Sequence, residues 1–264
     1  MTHLRQESIK TLQEFLNFAA GLRTSCKSAW FRGTSDSGHA LVPSMFRHPN
    51  CRTPEEYAKL EIEVIDRFKQ RSIPFHDRRL VDSWDSLFFM QHYGVPTRLL
   101  DWTENPLFAL YFAVAYSTRT TAGSDAAVWA LDPSSWNQIA LAHQSYKGGP
   151  LGPSAEELSG YAASPKWTNM NVLPVAMYGA HNSPRIVAQR GVFTIFGQDP
   201  TPMETAYSSR SEFPAGTLIK LVIPSDSVAQ LRTDVFSFGV THSTVFPDLD
   251  GLAREIRAFS GFEG

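Results

Sequence analysis

The stretch QHYGVPTRLLDWTENPLFALYFA, Gln91 to Ala113, sets His92, Arg98, Asp101 and Trp102 directly ahead of a run rich in Leu, Phe, Ala and Tyr. A buried helix needs only the apolar members, so the polar ones call for a second reason. His92 is of the type that moves protons near neutral pH or contacts a ligand. At a helix C-terminus it is also a favourable partner for the helix dipole. Arg98 and Asp101 lie three apart. In a turn they can pair as scaffolding, or split, with Arg98 facing a phosphate and Asp101 accepting from a ribose hydroxyl. Asp101 is flanked by Leu99, Leu100 and Trp102. A carboxylate in such surroundings is costly to bury without hydrogen bonds. Holding amides of the following turn is equally open to it. Trp102 and Tyr111 offer rings on which a planar heterocycle could stack, and Thr103 adds a hydroxyl beside them. Leu107, Leu110, Phe112 and Val114 read as core.

A second candidate is Arg32 in WFRG, Trp30 to Gly33. Its guanidinium offers paired donors to a phosphate, and Gly33 lets backbone approach closely. Thr34 and Ser35 add hydroxyl donors, and Trp30 and Phe31 pack inward. The alternative for Arg32 is a structural ion pair. Late in the chain, Gln189 cannot act as a base but can bond a ribose or an amide. In FPDLDGLAREI, Asp248 caps a helix and Asp250 lies in its first turn. Glu255 is then either a solvated helix residue or a catalytic carboxylate.

Composition removes several classes of function. The 264 residues carry a net charge of -2, with 42% hydrophobic and 19% charged residues, as expected for a globular chain with a sizeable core. Nothing in that balance favours nucleic acid or an anionic membrane. The local basic segment DRFKQRSIPFHDRR, Asp66 to Arg79, reads as a solvated helix end and loop, with a phosphate-binding patch as the alternative. Cys26 and Cys51 have no CxxC spacing and no nearby histidine at metal-ligand spacing, so neither a disulfide framework nor a zinc site is expected. Walker A and GxGxxG loops are missing, as is HExxH, and without a basic groove signal a metal-dependent nuclease is set aside. The N-terminus is too polar for a signal peptide, and no apolar run reaches the ~20 residues a bilayer requires. The expectation is a cytoplasmic protein without a membrane partner.

The elements that must position these groups follow from caps and periodicity. SIKTLQEFLNFAAGL, from Ser8, has helical spacing. AWFRG is a short strand ending at glycine. TPEEYAKLEIEVIDRFKQRS opens with Thr53, Pro54 and Glu56, a capping box with proline in the first turn. DSWDSLFFMQHYG is a helix capped by Asp82 or Ser83 and ended by Gly94, and NPLFALYFAVAYS is a buried one started by Asn105 and Pro106. Four strands follow in Ala126–Asp132, Val172–Gly179, Gly191–Gly197 and Thr217–Pro224, then two closing helices. The connection Ser145–Ser154 is the linker candidate. Helices first, then strands and helices without βαβ alternation, predict an α+β fold. It forms one domain over residues 1–264, with an N-terminal helix in 1–28 and a core over 29–257.

Together, Phe31-Arg32-Gly33, the long central motif, SPRIVAQRGVFTIFG (Ser183 to Gly197) and FPDLDGLAREI (Phe246 to Ile256) resemble the FRG domain family. A lone tripeptide would carry no weight. The central motif and the order of the other two do, over Trp30 to Ile256. FRG domains in turn look like distant relatives of the ADP-ribosyltransferase fold. That resemblance implies a split-β architecture with mixed, mainly antiparallel sheets and NAD, as substrate, in a cleft between two sheets. It makes Arg32 the first-strand contact to the dinucleotide, and Thr34, Arg98, Trp102, Thr103, Tyr111 and Gln189 its company. ALYFA resembles the aromatic-Ala pattern of several branches. The late strand that carries a catalytic Glu in many relatives has none here between Arg185 and Gln198. Asp101, Glu255 or His92 would then have to act with Arg32 in breaking the nicotinamide–ribose bond. The expectation is an ADP-ribosyltransferase-like or NAD-glycohydrolase-like protein with a protein or nucleic-acid acceptor, suited to a role as toxin or phage-defence effector. The alternative is a non-catalytic nucleotide- or protein-binding module of the same fold.

Overall fold

Side-chain caps start the helices where the sequence places them. In the computed structural model, which describes residues 4–77, 80, 82–115, 123–167, 170–179 and 184–262, Thr11 and Thr53 head helices α1 (Leu12–Ser25) and α2 (Pro54–Ser72). Each is closed into a capping box, by Glu14 and Glu56. Asp82 caps α3 (Ser83–His92) by accepting from the Asp85 amide, and Asn105 caps α4 (Pro106–Val114) through the Leu107 amide. Gly94, at φ 73°, turns the chain after α3. Later helices are α5 (Pro133–Ala140), α6 (Pro184–Ala188), α7 (Met203–Ser209), α8 (Val228–Ser237), α9 (His242–Val245) and α10 (Leu249–Phe259).

The strands are β1 (Arg5–Ser8), β2 (Trp30–Thr34), β3 (Leu99–Thr103), β4 (Ala126–Leu131), β5 (Val175–Met177), β6 (Gly191–Ile195) and β7 (Leu218–Ile223). They form one sheet in the order β1-β7-β4-β2-β3-β6-β5. Among the described strands β1 and β7 alone pair in parallel, so the fold is α+β with a mainly antiparallel sheet. The resemblance implied several sheets, and the described strands make a single one. An apolar cluster covers each face. One joins α1, α4 and α8 to Phe31, Val128 and Leu221. The other joins α2, α3 and α5 to Trp30, Leu100 and Trp102. Phe108, Leu110, Tyr111 and Val114 of α4 are buried, and each large apolar side chain so placed contributes about 1.5–3 kcal/mol.

Three expectations change. Ser8 ends an edge strand rather than starting a helix, which begins at Leu12 behind the Thr11 cap. Leu99–Thr103 is a strand inside the sheet, not a turn. The linker candidate is tied into the fold: the Leu151 amide donates to the Ala176 carbonyl and the Tyr178 amide to the Leu151 carbonyl, at 2.9 and 2.8 Å. Tyr116 and Ser117 of the expected fourth helix, Ser183 of the late motif, and Arg78 and Arg79 of the basic segment lie outside the described residues.

Candidate functional site

The central strands β2 and β3 are neighbours that part. Ladders to their outer partners are complete, β2 with β4 over Trp30–Thr34 and β3 with β6 over Leu99–Thr103. Between β2 and β3 the only registered pair among the described residues is Phe31 opposite Thr103. The Phe196 amide donates to the Arg98 carbonyl, and the Glu104 amide to the Arg190 carbonyl. Antiparallel hydrogen bonding alternates, so this phase turns the polar backbone of Asp101 toward β2. One more rung would set Gly33 against Asp101. Instead Nη1 of Arg32 donates to the Asp101 carbonyl at 2.5 Å. The guanidinium thus serves a strand-edge carbonyl that the parted ladder leaves without a backbone partner. Gly33 is required for packing at this place: a Cβ there would meet the Ala109 carbonyl oxygen of α4 at 1.8 Å. The close approach foreseen for a ligand is made by a helix.

The parted strands open into a cavity of about 240 Å³, walled by Arg32, Gln91, His92, Asp101, Arg185 and Gln189, with Trp102, Phe112 and Phe193 as its apolar part. It is continuous with a shallower compartment of about 550 Å³ that shares Gln91, His92, Asp101 and Arg185 and adds Ser44, Arg47 and Tyr93. Arg32 and Asp101 therefore lie on adjacent strands of one wall, not on opposite walls. The facing wall is the end of α3 together with α6.

A relay of hydrogen bonds fixes the carboxylate. The Leu99 amide donates to Thr97 Oγ1 at 3.1 Å, and that hydroxyl donates to Gln91 Oε1 at 2.5 Å. The acceptor role of Oε1 leaves Gln91 Nε2 to donate to Asp101 Oδ2 at 2.7 Å. Arg32 Nη1 stands 4.0 Å from the same oxygen. The Asp101 side chain is 59% exposed, and its Oδ1 accepts no hydrogen bond among the described residues. Burial pulls the Arg32 pKa down, the Asp101 charge raises it and the Arg47 charge lowers it further. Guanidinium stays protonated regardless, so this cation gains from an anion set against it. The His92 pKa lies below the usual histidine value, through burial first and the Arg185 charge second, with Asp248 opposing. Its imidazole is neutral at neutral pH, able to accept a proton.

The remaining candidates divide. Trp102 and Thr103 reach the cavity wall but have committed polar atoms. Trp102 Nε1 donates to Thr194 Oγ1 at 3.2 Å and Thr103 Oγ1 to the Gln189 carbonyl at 2.6 Å. Gln189 lines the cavity while its Nε2 donates to the Val245 carbonyl at 2.9 Å. Arg98 is a correction: it is fully buried away from the cleft, with Nε on Glu61 Oε1 at 2.7 Å, Nη2 on the Tyr161 carbonyl at 2.7 Å and Nη1 on the Phe196 carbonyl. Alternation in β3 sends Asp101 to the cleft and leaves Arg98 in the core. Tyr111 is likewise buried in the core, its hydroxyl 2.5 Å from His242 Nδ1. Thr34 donates to the Ala127 carbonyl at 3.4 Å, outside the cavity walls.

Glu255 is remote too. Its Oε2 accepts from the Ser243 amide at 2.8 Å and from the Thr241 hydroxyl, closing the start of α9. Burial pushes its pKa up, but those hydrogen bonds and the His242 charge outweigh it and hold the carboxyl below its ordinary value. Gln91, Arg185 and Arg47 are the wall residues that sequence reasoning missed. One signal was available for Arg185: a cation just behind the proline that opens α6, where the helix dipole favours a carboxylate. Among the described residues there is no group of three His, Cys, Asp or Glu able to hold a metal ion, and no helix long and apolar enough to cross a membrane.

Residues 27–122, which hold Arg32, Arg47, Gln91, His92 and Asp101, match a family model described as FRG domain. No curated protein and no solved structure matches the chain.

Proposed function

We propose that the chain, whose residues 27–122 match the FRG domain model, binds NAD in the cleft between β2 and β3 and breaks the nicotinamide–ribose bond. The observation that carries the reading is the parting of the two strands around Arg32 and Asp101, a cation and an exposed carboxylate at one opening. In the reaction the bond between C1′ and the pyridinium nitrogen breaks and its electron pair stays on nicotinamide. C1′ gains an oxygen from water or from an acceptor, and one proton is released. The chain's own groups meet those needs. Arg32 holds a phosphate oxygen. Asp101, through Oδ1, faces positive charge as it develops on the ribose. Neutral His92 accepts the proton. Trp102 and Phe112 give the cavity an apolar side for a ring. With no carboxylate in β6, Asp101 is the one that serves. Consumption of NAD in a cytoplasm would suit a toxin or phage-defence effector.

A second reading is a nucleotide-binding module that catalyses nothing. It is favoured by the hold that Gln91 Nε2 and Arg32 already have on Asp101 Oδ2. Incubation of the purified protein with NAD and quantification of nicotinamide decides between them. The proposal expects release that Arg32→Ala and Asp101→Ala each abolish while the melting transition is kept. NAD raising the melting temperature without release supports the module. Unfolding of both variants would make the pair scaffolding and end the cleft argument.

A further inference from the structure

Three guanidiniums and one carboxylate meet at the cleft, and of the three Asp101 engages only Arg32. Arg47, an exposed residue of the outer compartment, has no hydrogen bond or ion pair among the described residues. Arg185, on the wall common to both compartments, lies over the Phe246 ring at 4.6 Å and has no anionic partner among them. Their charges are felt nearby, Arg47 by Arg32 and Arg185 by His92. The whole chain carries -2, so this positive surplus is local to a concave surface, where low-dielectric walls concentrate the field. An aromatic ring stands beside it. Tyr93 is 63% exposed, although the ring edges of Phe89 and His92 brace it at centroid distances of 5.0 and 4.7 Å. A braced aromatic left in water next to unpaired guanidiniums combines a stacking face with phosphate donors.

We infer that the outer compartment is a nucleoside-phosphate subsite, in which Arg47 and Arg185 hold the phosphate and Tyr93 faces the base. This rests on the reading of the inner cavity as a nucleotide site. The phosphate can belong to the other half of the same dinucleotide or to a separate phosphorylated acceptor. The recognising chemistry is common to both.

Calorimetric titration with AMP and with adenosine tests it. AMP binds about tenfold or more tightly than adenosine, and Arg47→Ala and Arg185→Ala each weaken AMP by about tenfold, as expected for loss of a charge-assisted contact. Arg47→Lys keeps the charge without the planar fork and falls between. Arg47 is exposed, so its variants stay folded. Titrating AMP into NAD-saturated protein separates the sources: exclusion assigns the subsite to the dinucleotide, simultaneous binding to an acceptor. Equal affinity for AMP and adenosine, no AMP binding, or Arg47→Ala and Arg185→Ala variants that bind AMP like wild type would overturn the inference. Nicotinamide release by a protein without this AMP selectivity would remove the subsite alone. AMP binding that needs Arg47, without nicotinamide release, would remove the cleavage reading alone.

Discussion

Replacing Arg98 with methionine separates a core residue from a ligand residue. The side chain is wholly buried, as is Glu61, and three of its nitrogens are used on Glu61 Oε1, the Tyr161 carbonyl and the Phe196 carbonyl. Its guanidinium also lies 4.9 Å from the Trp167 ring centre. Methionine fills similar volume but leaves a buried carboxylate without its cation, which costs about 3–5 kcal/mol. Two carbonyls are stranded as well, at about 1–3 kcal/mol each. These losses overlap, because the residues share one network. Even the lower figure is a large part of the ~5–15 kcal/mol that keeps a domain folded. With a urea slope of about 3 kcal/mol/M, the unfolding midpoint falls by roughly 1–2 M. Adding Glu61→Leu removes the stranded charge and recovers roughly the carboxylate's share, so the double variant is more stable than Arg98→Met alone. A variant that unfolds at the wild-type midpoint yet no longer binds nucleotide would refute this placement and return Arg98 to the cleft.

Two further outcomes follow from the same geometry. Gly33→Ala forces a methyl against the Ala109 carbonyl and the Ala113 amide of α4, 1.8 and 2.6 Å from the ideal Cβ position. Overpacking against backbone costs about 3 kcal/mol, so the melting temperature drops by roughly 6–12 °C, and an unchanged melt would show that α4 does not press on β2. The His92 pKa is depressed in the folded chain, so its stabilising share is present above the unfolded value of about 6.5. That share is lost as pH falls through the lower folded value. Melting temperatures followed from pH 7.5 to pH 5 should decline more for wild type than for His92→Gln, and parallel declines would contradict the shift.

Where the sequence was legible, local chemistry settled the matter. Thr53-Pro54-Glu56, Asp82, Asn105-Pro106 and Gly94 mark helix ends by capping and φ alone, and each falls where it was read. Leu99–Thr103 was misread because both its faces are buried apart from Asp101, which erases alternation, and because arginine and aspartate looked like turn chemistry. Pro96 and Pro106 bounding a short run with Leu, Trp and Thr were the signal that would have found it. β1, RQES, has no apolar pattern, since an edge strand need bury little. The site was legible by half. Arg32, His92 and Asp101 sit in the expected motifs, whereas Arg47 and Arg185 come from distant segments that only the packing of α6 and the loop before α2 brings together. Arg98 misled because a buried ion pair and a ligand contact use the same residue types.

The polar strand β1 has a consequence at the margin of the sheet. It covers β7, whose sequence LIKLVI is apolar at five of its six positions, through four parallel pairs and a further bond from the Ile9 amide to the Val222 carbonyl. At the far margin β5 has only three residues, and Leu151 bonds along its outer side. Neither margin presents a long apolar row of open amides and carbonyls, the template on which chains add to one another. A chain trimmed behind Ser8 would bare such a row on β7, and it would be prone to associate strand by strand before any defect in the cleft could be measured.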